Sequence, residues 1–315
     1  MSHEFESGFF TRQPAWHNLG NVLPEPPAST HEAMLQAGLD WRVNVNPLFA
    51  NLPNEEWLPT GFNAIIRDSD TKVMGICKDR WTPYQNEDAF AWSLPLIESG
   101  EFEYEAAGSL KGGRNCWILL RHGDVEIVEN DKLRQYLMVM WSHDGKTANI
   151  VQPTSIRVVC NNTLQQALNE KGITRLAVNH SQFVSLNMET TKEILGVANS
   201  SFENQVAEFR KLASKTLTKE KQGFLLNEIF PEVTEEGKAQ TINIQNRKMI
   251  EELVQNGSGI KEHGLEGTAF AFYQGVSEAV EHFLGGNRIK DRGANILFGK
   301  GREILDKTFA LVTAP

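Results

Sequence analysis

Apolar residues bunch at strand length through the first half of this chain and switch to helical spacing in the second. Two dense runs, Tyr136 to Trp141 and Ile156 to Cys160, are rich in β-branched and aromatic residues and read as core strands. Between them lie a polar corner (Ser142, His143, Asp144, Gly145) and a loop around Pro153. After the second run, Asn161, Asn162 and Thr163 offer helix-capping side chains, and Leu164 to Gly172 reads as a short helix. Upstream, Phe62 to Asp68 and Thr71 to Cys77 pair as a β-hairpin. Phe102 to Leu110 and Cys116 to His122 form a second hairpin across a Lys111-Gly112-Gly113 turn, and Val125 to Asn130 adds a short strand. Trp81 to Gly100 turns helical, with Asn86 as its cap and a kink or break at Pro95.

From Asn187 onward the spacing of Ile194, Leu195, Val197, Ala198, Phe202, Val206 and Phe209 is helical. Further helices are predicted at Lys221 to Phe230, Gly237 to Gln255, Gly267 to Leu284 and Arg302 to Thr313. The opening segment holds seven of the twelve prolines, so it is expected to be largely extended or irregular, with one short helix near Thr30 to Ala37 capped by Ser29 or Thr30. All seven tryptophans lie between Trp16 and Trp141, a compositional boundary. The expected fold class is α+β, a mostly antiparallel sheet with packed helices followed by an all-helical C-terminal region. The corresponding division is an irregular segment 1–59, an α+β core 60–185 and a helical region 186–315.

Composition narrows the function. With 40% hydrophobic and 23% charged residues the chain has ordinary globular usage and enough apolar side chains for a sizeable core. No apolar run approaches the roughly 20 residues that span a bilayer, and the N-terminus lacks an export pattern. Cys77, Cys116 and Cys160 are dispersed in apolar runs, as expected of buried reduced thiols in a cytoplasmic protein. The net charge is -9, of which residues 1–160 carry -8. That balance argues against a generally basic nucleic-acid binder but leaves room for a local basic groove.

The common enzyme signatures are missing: no P-loop, HExxH, paired CxxC or GxSxG occurs. No motif calls for a metal or a cofactor, and no catalytic residue is assigned. Five stretches carry candidate chemistry. The His143-Asp144 corner pairs a base with a metal-ligating type, although Gly145 favours a tight turn. Arg157 shares a strand face with Val159, where it needs either a carboxylate such as Asp144 or an anionic ligand. Lys111, Gly112, Gly113 and Arg114 form a hairpin tip at which backbone and cations can approach phosphate. Lys78, Arg80, Trp81, Tyr84 and Gln85 mix cations with aromatics, either to stack bases or to pack beneath the next helix. Arg288, Lys290, Arg292, Lys300, Arg302 and Lys307 make the densest basic region.

Taken together, several of these stretches resemble a known family. Trp16-His17-x-Leu19-Gly20, Asp79-Arg80-Trp81-x-Pro83-x-Gln85-Asn86, Gly112-Gly113-Arg114, His143-Asp144-Gly145 and Arg157 to Thr163 are similar to the phage/plasmid-like proteins with domain of unknown function 932. The usual aromatic after the Asp-Arg pair is Tyr, and here it is Trp81. The resemblance implies a bacterial cytoplasmic protein carried by phages, prophages or plasmids, and it transfers no activity. A looser, fold-level analogy links a hairpin-rich sheet followed by a helix to Rad52-like single-strand annealing proteins, which act without ATP as oligomers. The leading expectation is therefore a single-stranded DNA-binding or annealing protein. In it Lys111, Arg114 and Arg157 contact phosphates, Arg80 adds charge, and Trp81 or Tyr84 stacks on bases. It would be homo-oligomeric through its C-terminal helices and have no membrane partner. The alternatives are a factor that binds and blocks a host defence protein, and an enzyme that uses His143 and Asp144 with a metal. Asn161 and Asn162 complete the polar corner without an assigned role.

Overall fold

The computed structural model describes residues 5–12, 20–146, 149–157, 163–164, 176–178, 188–285 and 300–314. The fold is α+β, with two mostly antiparallel sheets and a helical C-terminal part. The larger sheet runs in the order β10-β9-β8-β7-β6-β1-β2, with β11 (Leu176–Val178) also paired to β9. Its strands are β1 (Phe5–Thr11), β2 (Asn21–Leu23), β6 (Glu103–Leu110), β7 (Asn115–Val128), β8 (Asp131–Ser142), β9 (Asn149–Arg157) and β10 (Thr163–Leu164). The smaller sheet is β3 (Val43–Asn51), β4 (Trp57–Arg67) and β5 (Val73–Cys77), in that order.

The expected hairpins form as β4–β5 and β6–β7, and β8 contains the run Tyr136 to Trp141. The predicted strand at Val125 to Asn130 is the continuation of β7. Three readings need correction. The opening segment is not irregular: it supplies β1, β2 and β3, and β1 pairs with β6 some hundred residues away. Pro153 is not in a loop but inside β9. There it lies between the part of β9 that pairs β11, Asn149–Val151, and the part that pairs β10, Ser155–Ile156. Thr163 and Leu164 form a strand and not the start of a helix. Asn161 and Asn162, and the remainder of that predicted helix, lie outside the described residues.

The chain divides into two compact units. One comprises Met1–His122, Tyr136–Pro153 and Arg175–Ala198. The other comprises Gly123–Gln135, Thr154–Thr174 and Asn199–Pro315. In the first, helix α1 (Thr30–Gln36), capped by the Ser29 hydroxyl, packs on α2 (Asn86–Glu98). Its core includes Phe9, Leu39, Trp41, Ile65, Tyr84, Phe90, Tyr104, Ile118, Val139 and Trp141. Pro95 is accommodated within α2, which ends three residues later.

A polar node sits inside that apolar core. Asn86, expected as a cap, is buried instead, and Gln85 takes the N-cap position. The Asn86 Nδ2 donates to the Trp41 carbonyl at 3.0 Å, and its Oδ1 accepts from Trp141 Nε1 at 2.9 Å. A carbonyl only accepts and an indole only donates, so both ends of the amide are assigned. His143 Nε2, also 2.9 Å from Oδ1, is therefore a donor. The Gln85 side chain meanwhile bonds both the N–H and the carbonyl of Val43, acting as a short piece of strand.

The second unit is helical around an aromatic cluster. Phe209 on α3 (Met188–Ser214) meets Phe270 and Tyr273 on α6 (Ala269–Glu278) and Phe309 on α7 (Lys300–Thr313). Helices α4 (Lys219–Ile229) and α5 (Lys238–Asn256) complete it, and α6 passes into a π-helical turn at Ala279–Phe283. No helix among the described residues is long and apolar enough to cross a membrane.

Replacing Asn86 with Ala strands an indole N–H, an imidazole N–H and a carbonyl in the core. The expected loss is about 2–4 kcal/mol, read as a lower urea midpoint with an unchanged slope.

Candidate nucleic-acid interface

The smaller sheet is anchored by one arginine. Arg67, at the end of β4, is 7% exposed. Its Nε and Nη2 grip Asp70 at 2.8 and 2.6 Å, and its Nη1 reaches Glu6 at 2.8 Å. Its guanidinium lies 5.1 Å from the Trp41 ring centroid. The paired carboxylates raise the Arg67 pKa, with the Asp70 hydrogen bonds the largest cause, while burial opposes them. The same bonds hold the Asp70 carboxyl down at about 2.

Three turns converge around this arginine. The β6–β7 tip lies over it: at Gly113 (φ 83°), an added Cβ would come within 2.7 Å of Arg67 Nη1. The 142–146 corner follows, because the His143 N–H donates to the Arg114 carbonyl at 2.8 Å. Gly75 lets that corner press on β5, since a Cβ there would lie 2.3 Å from the Asp144 carbonyl oxygen. The convergence gathers Lys72, Lys111 and Arg114 at one end of the sheet, with Lys111 and Arg114 exposed. Nearby carboxylates are already engaged: Glu6 and Asp70 by Arg67, Asp68 by the Arg42 N–H, and Asp144 by the Lys146 N–H.

One face of this sheet carries Val43, Ile65 and Cys77 into the core. The opposite face would ordinarily be polar. It carries Phe62, Ile76 and Val73, exposed by 44, 52 and 51%, beside the exposed Asn44 and Asn46. At the far end of β5, Lys78 Nζ stands 5.9 Å from the Phe62 ring centroid, and exposed Arg80 follows. About 20 Å of strand separates Lys72 from Lys78. An apolar, partly aromatic strip thus runs between two groups of cations.

The sequence-named residues fall unevenly on this surface. Lys111, Arg114 and Arg80 are exposed, and Trp81 is half-buried, its N–H closing a turn on the Lys78 carbonyl. Tyr84 corrects the expectation of base stacking: it is wholly buried, and desolvation raises its pKa. His143 is likewise not a displayed corner residue, because the Asn86 bond and an edge contact with Trp41 hold it in the core. Asp144, half-buried, accepts the Lys146 N–H at 2.7 Å, as a turn residue does. Arg157 lies in β9, and its side chain is outside the described residues. Among those residues no three metal-ligating side chains gather. Phe62, Lys72 and Ile76 were missed in the sequence, because alternation in a hairpin does not say which of two apolar faces is covered.

Residues 73–296 match the family described as domain of unknown function (DUF932). The chain belongs to that family. No curated protein and no solved structure matches it. The match begins at the first residue of β5, so β3, β4 and most of the Arg67 network precede it.

Asp70 gives the sheet a pH signature. A carboxyl whose folded pKa is depressed stabilises fully above its unfolded value near 4. That contribution fades as pH falls toward about 2. In Asp70→Asn the urea midpoint should be lower at pH 7, and its decline between about pH 4 and 2 should be shallower than in the parent.

Proposed function

We propose that this protein binds single-stranded DNA along the outer face of the β3–β4–β5 sheet and serves strand annealing without ATP. The observation that carries the reading is the exposed Phe62–Ile76–Val73 strip flanked by Lys72, Lys111 and Arg114 at one end and Lys78 and Arg80 at the other. Bases stack on an aromatic whatever their identity, while cations track the phosphates. Annealing forms no covalent bond, so it requires only strands held extended with their pairing edges free. The cations are local in a chain of net charge -9, which suits a groove better than diffuse attraction. Within this reading the protein works in the cytoplasm of a bacterial host, in recombination of a phage or plasmid. A second reading, capture of a host defence protein, draws on a different feature, the exposed Trp57 on the β3–β4 hairpin.

Fluorescence anisotropy of a labelled oligonucleotide tests the first reading. Binding should weaken steeply with salt, and alanine at Lys72, Lys111 and Arg114 together should reduce the log–log salt slope by about 2. Phe62→Ala should weaken binding about tenfold, the equivalent of one lost stacking contact. Absence of binding at low salt would overturn the proposal.

A further inference from the structure

Beyond its pairing with β5, the β3–β4 hairpin continues as a two-stranded arm. Residue pairing runs on through Phe49–Pro59, Ala50–Leu58 and Asn51–Trp57, whereas β5 pairs β4 only as far as Asn63. Such a ribbon is marginal in water by itself. This one displays Trp57, Leu58 and Phe49 at 66, 54 and 50% exposure. From Val43 to Ile66 its only charged residues are Glu55 and Glu56, both exposed at the tip. Two carboxylates beside the indole repel phosphate, so these aromatics do not extend the DNA track. Their chemistry suits a protein cleft with an apolar floor and a cationic rim.

This chain carries such a cleft in its helical unit. A cavity of about 330 Å³ is floored by Leu217 and Val254 and edged by Lys219, Lys261, Gln222 and Gln255, with Glu266 its one carboxylate among the described residues. A second cavity of about 190 Å³ shares Lys219, Gln222, Val254 and Gln255 with it, extends the floor over Leu226 and Phe272, and adds the carboxylate of Glu251. The combined groove has room for an indole and for the apolar residues beside it.

We infer that the β3–β4 arm docks in the α4–α5 groove of a second copy of this chain. Trp57 enters the larger cavity, and Glu55 and Glu56 meet Lys219 and Lys261. Charge complementarity at the larger cavity, where Lys219 and Lys261 face Glu266 alone among the described residues, selects this occupant. Arm-on-arm packing would bring together like-charged tips over too small an apolar area for a stable dimer. The inference does not depend on the DNA reading.

Light scattering after size exclusion, on the full chain across a concentration series, tests it with two charge variants. The parent should self-associate, and Trp57→Ala should weaken association at least tenfold. Glu55→Lys/Glu56→Lys should be monomeric, as should Lys219→Glu/Lys261→Glu. An equimolar mixture of the two should associate again, because the basic arm of one then fits the acidic groove of the other. That restoration also shows that both variants are folded. A parent that stays monomeric throughout would overturn the inference and leave the arm to a foreign protein. Variants that self-associate like the parent, or a mixture that stays monomeric, would overturn it equally.

Discussion

Arg67 is a cation placed where solvent scarcely reaches, and the surrounding architecture is what makes that tolerable. A buried guanidinium is costly unless its donors are met. Here Asp70 takes two of them from the next turn, Glu6 a third from β1, and the Trp41 indole accepts the face. Those partners come from three separate stretches of chain, so the ion cluster ties the small sheet to the strand that opens the large one. The β6–β7 tip closes over it only because Gly113 has no side chain, and Cys116 lies beneath, its thiol pushed well up by burial.

The node at Asn86 works in the same unit by a different means. Arg67 joins turns through charge; Asn86 joins Trp41, Trp141 and His143 through the fixed polarity of one amide. Trp41 touches both, receiving Arg67 on its ring and His143 at its edge. The histidine and aspartate that look most like chemistry in the sequence are thereby spent on structure: one fills the core and the other shapes a turn. What is left outside is a sheet face with exposed apolar side chains and cations beside it. That is the property on which the DNA proposal rests.

Much of the fold was legible because it is local. Alternation over Phe62 to Cys77 and Phe102 to His122 specifies hairpins whose partners are adjacent in sequence, and the 3.6-residue spacing after Asn187 specifies helices. The opening strands were illegible for the complementary reason. Proline density argued for irregular chain, yet Pro47 sits on an edge strand and Pro59 in the two-stranded arm, where a missing N–H costs little. Only the distant partner β6 makes β1 a strand.

The sequence by itself determined the α+β class, the hairpin turns, the helical spacing after Asn187 and the family, since each depends on residue types at fixed short spacings. The tertiary structure decided which residues face out. Tyr84 and His143 went inward and Phe62 and Ile76 outward, and Lys72 came to stand beside Lys111 across forty residues of chain. A side chain's exposure depends on what the rest of the chain lays over it, and that covering is a long-range packing outcome that no local pattern encodes.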